Sequence, residues 1–129
     1  MVKHLLIHYS ALTEGKGELR PRVIRSLIQL KDQGIQISLL VDGEVSADRN
    51  RIIHLLENEE AVDQICRIAE GVPELNTLME LAGLFDPQGS FYVYARESLC
   101  ILPLDKGDFS QKNLHAGWEQ ICTAVLKAA

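Results

Sequence analysis

The strongest constraint on the fold of this chain comes from three short apolar runs. "HLLIHY", "IQISLLV" and "SFYVYA" are rich in β-branched, leucine and aromatic side chains, and their apolar character is continuous. Continuous apolar runs of this length are typical of strands that are buried on both faces of a parallel sheet. The runs therefore predict three adjacent parallel strands with helices on both sides of the sheet.

The segment between the first two runs predicts the helix that joins them. In "RPRVIRSLIQLKDQG", Val23, Leu27 and Leu30 recur at helical spacing, and Gly34 ends the pattern. A strand, a helix and a second strand in succession form a βαβ unit, whose strands are parallel.

The rest of the chain predicts further helices around the same sheet. The periodic segments are "ADRNRIIHLLEN", "EEAVDQICRIAEG", "PELNTLMELAGLF" and "HAGWEQICTAVLKAA". The stretch "FYVYARESLC" predicts a strand that passes into a helix, with a short strand over 99–102 as the alternative. Residues 1–129 are therefore expected to form one α/β domain, a three-layer α/β/α fold with a mostly parallel sheet.

Composition narrows the class of protein. The 129 residues are 47% hydrophobic and carry a net charge of -5, which argues against a general nucleic-acid binder because such a protein needs a basic face. No stretch approaches the roughly 20 apolar residues of a membrane span. The three cysteines lack a C-x-x-C pair, so neither a disulfide framework nor a zinc site is expected. We expect a cytoplasmic protein without a cofactor.

Candidate binding residues follow the predicted strands, because parallel sheets bind ligands at the carboxyl ends of their strands. His8 and Ser10 offer a base and a hydroxyl, or they only begin a loop. Asp42 offers a carboxylate, or it belongs to an ordinary Asp-Gly turn. Tyr94 and Arg96 close the third strand, where Arg96 either binds an anion or forms an ion pair with Glu97.

Cys100 is the candidate catalytic residue. A cysteine reacts as a thiolate, which a helix start or a nearby cation such as Arg96 favours. Buried cysteine is also a common small core residue, and the apolar "ILPL" that follows Cys100 favours burial. We expect the core role to prevail and the thiol to be inert.

The chain resembles the DsrE-like family of small sulfur-relay proteins, which includes the TusD-like subunits. The resemblance covers most of the chain and is carried by "LKDQGIQISLLVDGEV" and by the segment 91–99. It implies a parallel α/β sheet, a homo-oligomer such as a trimer or hexamer, and a protein partner in sulfur relay. The family's persulfide cysteine, in a pattern like V-x-C-x-x-S/C-L, falls here at Ala95 or Tyr94, although Ser98 and Leu99 match its end.

The resemblance thus implies a binding or assembly subunit without the usual persulfide chemistry, more a binding protein than an enzyme. Two alternatives remain open. One is sulfur transfer through Cys100. The other is a degenerate domain of the haloacid dehalogenase type. Such domains have a similar succession of a first strand and a following helix, which here are "LLIHYSALTE" and "RPRVIRSLIQLKDQGIQI". The chain lacks the paired aspartates that such chemistry requires after the first strand, which argues against phosphatase activity.

Overall fold

A computed structural model describes residues 4–14, 17–41, 46–67, 89–95, 98–103, 112–113 and 117–128. The elements in chain order are β1 (His4–His8), β2 (Thr13–Glu14), β3 (Glu18–Leu19), α1 (Val23–Asp32), β4 (Gln36–Val41), α2 (Ala47–Asn58), β5 (Gln64–Arg67), β6 (Ser90–Ala95), β7 (Leu99–Pro103), β8 (Lys112–Asn113) and α3 (Trp118–Ala128). A 3₁₀ turn, Tyr9–Ala11, follows β1 directly.

One six-stranded sheet organises the described residues, with the strand order β5-β4-β1-β6-β7-β8. The first four of these strands are parallel, and β7 and β8 are antiparallel to their neighbours. Strand β1 is central, since His8 pairs with Leu40 of β4 and Ile7 pairs with Val93 of β6. The prediction that the three apolar runs form adjacent parallel strands is confirmed. A separate hairpin, β2–β3, precedes α1.

The main core lies on one face of this sheet. Alternate strand residues such as Ile7, Leu39 and Val93 are fully buried there, and they pack with apolar side chains from all three described helices. Helix α3 also packs on α1. The indole nitrogen of the buried Trp118 donates to the carbonyl oxygen of Ala11 at 2.8 Å, which fixes the start of α3 beside the 3₁₀ turn.

The opposite face of the sheet is buried as well. Leu6, Leu40 and Tyr92 alternate with the core residues along their strands and are at most 6% exposed. A sheet that is buried on both faces is the middle layer of an α/β/α fold, as the continuous apolar runs predict. None of the described helices is long and apolar enough to cross a membrane.

Helix α1 lies where the sequence predicts it and buries the predicted apolar side chains. Val23, Leu27 and Leu30 are buried, and Gly34 ends the helix with a φ of +84°. The Gly34 N–H donates to the Lys31 carbonyl, and the Ile35 N–H donates to the Leu30 carbonyl. This is a Schellman motif, whose left-handed residue is most often glycine.

Two predicted helices are wrong where the structure describes them. Residues 64–67, inside "EEAVDQICRIAEG", form β5 because their backbone pairs with β4, and sheet pairing overrides the weak helical periodicity of so short a segment. Leu99–Pro103 form β7 instead of a helix, antiparallel to β6, as the alternative reading had it. The predicted helix "PELNTLMELAGLF" lies outside the described residues.

Candidate functional site

The candidate site lies where the connections of the sheet diverge. From β1 the chain crosses to β4 and then to β5, whereas β6 lies on the other side of β1. Open α/β sheets bind ligands at such a switch point, outside the carboxyl ends of the strands. The residues at this point are His8 at the end of β1, Ser10 in the 3₁₀ turn that follows, and Ala95 at the end of β6.

His8 and Ser10 are hydrogen-bonded to each other. The Ser10 backbone N–H donates to Nδ1 of His8 at 3.2 Å, and Ser10 Oγ lies 2.7 Å from the same nitrogen. A ring nitrogen that accepts from an N–H carries no hydrogen of its own, so the Ser10 hydroxyl donates to it. Nδ1 of His8 therefore caps the 3₁₀ turn as an acceptor. The structure brings together the base and the hydroxyl that the sequence predicted.

Ser10 also connects two strands. The backbone N–H of Ala95 donates to Ser10 Oγ at 3.0 Å, so one hydroxyl joins the carboxyl end of β1 to that of β6. The contact with His8 has the length of a nucleophile–base pair. However, the hydroxyl donates one hydrogen bond and accepts another, which is the arrangement of a structural link.

Tyr94 lies at the end of β6 and is half-buried. Its ring stacks on that of Tyr92, with 5.1 Å between the ring centroids and 19° between the planes. Tyr94 and Ala95 are the two positions where the DsrE-like resemblance places the persulfide cysteine, and neither has a thiol. Asp42 and Arg96, the other predicted binding residues, lie outside the described residues.

Cys100 lies in the antiparallel strand β7, opposite Tyr94 of β6. The residue is 3% exposed, and its Sγ donates to the carbonyl oxygen of Ser98 at 3.4 Å. A helix start, which would favour the thiolate form of Cys100, is absent at this position because Leu99–Pro103 form a strand. Cys100 is therefore buried in the sheet, in keeping with the core role expected for it.

The sequence interpretation missed Tyr9, which lies between His8 and Ser10. Tyr9 is buried, and the guanidinium carbon of Arg49 lies 4.7 Å from the centroid of its ring. Burial raises the pKa of the Tyr9 hydroxyl, and the nearby Asp48 carboxylate raises that pKa further, while Arg49 lowers it. The sequence could have indicated Tyr9, because it is an aromatic residue directly after the strand. It could not have indicated Arg49, which lies on α2 and is distant in sequence.

No three His, Cys, Asp or Glu side chains are grouped to hold a metal ion within the described part of the chain. At the switch point the imidazole of His8 and the hydroxyl of Ser10 are hydrogen-bonded to each other, and the Tyr9 hydroxyl lies between them in sequence. Within the described residues, no carboxylate directly follows β1 and no exposed thiol lies at the end of β6.

Comparisons with known proteins give a similarity to solved structures and none to a family model or a curated protein. Among solved structures, the chain is similar to the cobalt-bound form of deoxy-D-mannose-octulosonate 8-phosphate phosphatase (YrbI) from Haemophilus influenzae, with a TM-score of 0.48 and 17% identity. The similarity covers 70% of this chain and 57% of that chain. A similarity of this size assigns neither a family nor a function.

Proposed function

We propose that this protein is a binding domain on a degenerate haloacid-dehalogenase-like plan and that it does not hydrolyse phosphate esters. One observation carries the proposal. His8 ends the first strand and Ser10 follows it, where that chemistry requires paired aspartates. The two side chains are hydrogen-bonded to each other, and Ser10 also accepts from the Ala95 N–H. An imidazole and a hydroxyl engaged in this way supply neither the nucleophilic carboxylate nor its acidic partner.

The proposal is tested by assaying the protein with an aryl phosphate, with and without added Mg²⁺. We expect no hydrolysis above that of the buffer. A matched His8→Ala variant shows whether any trace activity belongs to this chain or to a contaminating phosphatase. Hydrolysis by the wild-type protein that disappears in His8→Ala would contradict the proposal.

Independently of that plan, we propose that the partner is further copies of the same chain, in a trimer or hexamer, because the DsrE-like resemblance implies such an assembly. Among the described residues, Leu55 on α2 is the large apolar side chain that is exposed, at 38%. Light scattering at micromolar concentration tests this proposal, and a monomer contradicts it. We propose a cytoplasmic location because an odd number of cysteines without a C-x-x-C pair suits a reducing compartment.

Sulfur transfer through Cys100 is the less supported alternative. A persulfide carrier must expose its sulfur to a donor and an acceptor, and the Cys100 side chain is buried between β6 and β8. We expect no persulfide after incubation with a cysteine desulfurase and cysteine, as measured by intact-protein mass spectrometry. A gain of one sulfur that is absent from Cys100→Ser would instead favour the sulfur-relay function.

A further inference from the structure

A polar groove runs between α1 and α3, on the side of the molecule that carries the main core. Its volume is about 450 Å³, within the range of about 300–1,000 Å³ that is usual for small-molecule sites. Arg22 and Arg25 at the start of α1 line it, together with Gln29. Glu119 and Gln120 line it from α3.

The charge of this groove differs from that of the whole protein. The chain carries a net charge of -5, yet the stretch "RPRVIR" brings three arginines within six residues, and the first turn of α1 contains no acidic residue. Arg20 pairs with Glu14. Arg25 is exposed, and the described residues give it no ion pair.

Glu119 is the acidic side chain that lines the groove, and it forms an ion pair with Arg22. The two side chains are 56% and 64% exposed, and exposed pairs of this kind contribute little to stability. A ligand with a phosphate group can therefore displace the Glu119 carboxylate from Arg22. A guanidinium donates two parallel N–H bonds to a phosphate as it does to a carboxylate, and a phosphate group carries the larger negative charge, about -1.5 to -2 at pH 7.

We propose that the groove between α1 and α3 binds a small phosphate-bearing molecule. Arg22 and Arg25 bind its phosphate group, and the Glu119 carboxylate competes with that phosphate for Arg22. The uncharged side chains of Gln29 and Gln120 supply hydrogen bonds for the rest of such a ligand. This groove is separate from the His8–Ser10 pair, so the proposal does not depend on whether the protein hydrolyses phosphate esters.

The proposal predicts effects of opposite sign for two substitutions. Arg25→Gln removes a charged donor, and hydrogen bonds to charged groups imply a loss of affinity of about tenfold or more. Glu119→Gln removes the competitor and frees Arg22, so affinity should rise by about two- to fivefold, the range set by an exposed ion pair. Arg51→Gln, on α2 and outside this groove, is the matched control and should leave affinity unchanged.

Inorganic phosphate is the probe, titrated at constant ionic strength and followed by NMR. We expect saturable shifts of the Arg25 and Gln29 side-chain signals, with citrate binding more weakly than phosphate. Fluorescence of the buried Trp118 confirms that each variant is folded. Equal losses in Arg25→Gln and Arg51→Gln, weaker binding by Glu119→Gln, tighter binding of citrate, or shifts outside the groove would each overturn the proposal.

Discussion

The hydroxyl of Ser10 forms hydrogen bonds to two separate parts of the chain. It bonds to His8 and to the backbone of Ala95, which lies 85 residues further along the chain. The two hydrogen bonds lie at the carboxyl ends of β1 and β6, which are the two middle strands of the sheet. A single side-chain oxygen therefore helps to hold the carboxyl ends of two parallel strands together.

Ser10→Ala removes this link and leaves the Ala95 N–H without its acceptor. A part-buried donor without a partner costs about 1–3 kcal/mol, so we expect the free energy of unfolding in urea to fall by that amount. Thr123→Ala is the matched control, because Thr123 Oγ1 donates to a carbonyl within the exposed face of α3. Equal, small losses in both variants would show that Ser10 does not link the strands.

Asp63 is a second residue whose carboxylate makes two separate contacts. Oδ2 accepts from the Ile37 N–H at 2.7 Å, and Oδ1 lies 3.2 Å from Nζ of Lys31. Asp63→Asn keeps an acceptor and removes the charge, which should cost about 1 kcal/mol or less because the ion pair is partly exposed. Asp63→Ala also removes the acceptor and should cost about 1–3 kcal/mol. Urea unfolding of the two variants measures the difference, and equal losses would contradict this division.

At the scale of elements, α1 and α2 end in the same way with different residues. The Glu60 N–H donates to the Glu57 carbonyl and the Ala61 N–H donates to the Leu56 carbonyl, which repeats the Schellman motif at the end of α1. The left-handed position is Gly34 after α1 and Glu60 after α2, where φ is +54°. A residue with a Cβ atom is strained in this conformation.

Glu60→Gly should therefore stabilise the protein by about 0.5–1 kcal/mol, since relief of the strain outweighs the greater freedom of glycine in the unfolded chain. The backbone carbonyl of Glu60, which accepts from Lys31, is retained. Glu59→Gly is the matched control, because Glu59 is right-handed and glycine there should destabilise by up to about 1 kcal/mol. Thermal unfolding of both variants gives the sign, and a loss of stability in Glu60→Gly would contradict the prediction.

At the scale of the whole molecule, buried thiols couple stability to pH. Burial raises the pKa of Cys66 and of Cys122 above the ordinary value of 9.0. The unfolded chain releases these protons at lower pH than the folded protein does, so the folded state binds more protons above pH 9.0. Their contribution to stability is therefore present below that pH and is lost as the pH rises through the folded values.

We expect the free energy of unfolding to fall above pH 9.0, by at most about 1.4 kcal/mol per pH unit for each thiol. Tyr9, whose pKa burial raises from 10.0, adds to the fall at higher pH. Urea unfolding as a function of pH measures the slope. The double variant Cys66→Ala/Cys122→Ala should have a shallower slope just above pH 9.0, and an unchanged slope would assign the loss to other groups.

The site could be predicted only in part. His8 and Ser10 were found because they follow a buried strand, and the geometry of parallel sheets places strand ends together. Their bond to Ala95 could not be found, because it depends on which strand lies beside β1. Arg49 over Tyr9 and Glu119 beside Arg22 were missed for the same reason, since each pair joins residues that are distant in sequence.

The sequence by itself determined the central strands β1, β4 and β6, the helices α1, α2 and α3, and the α/β class, because burial on one or both faces leaves a periodic pattern of apolar residues. Only the tertiary structure decided that Gln64–Arg67 and Leu99–Pro103 are strands. Segments of four or five residues have too little periodicity to fix their own conformation, so the backbone hydrogen bonds of a neighbouring strand decide it. The same physical reason placed Cys100 inside the sheet instead of at a helix start.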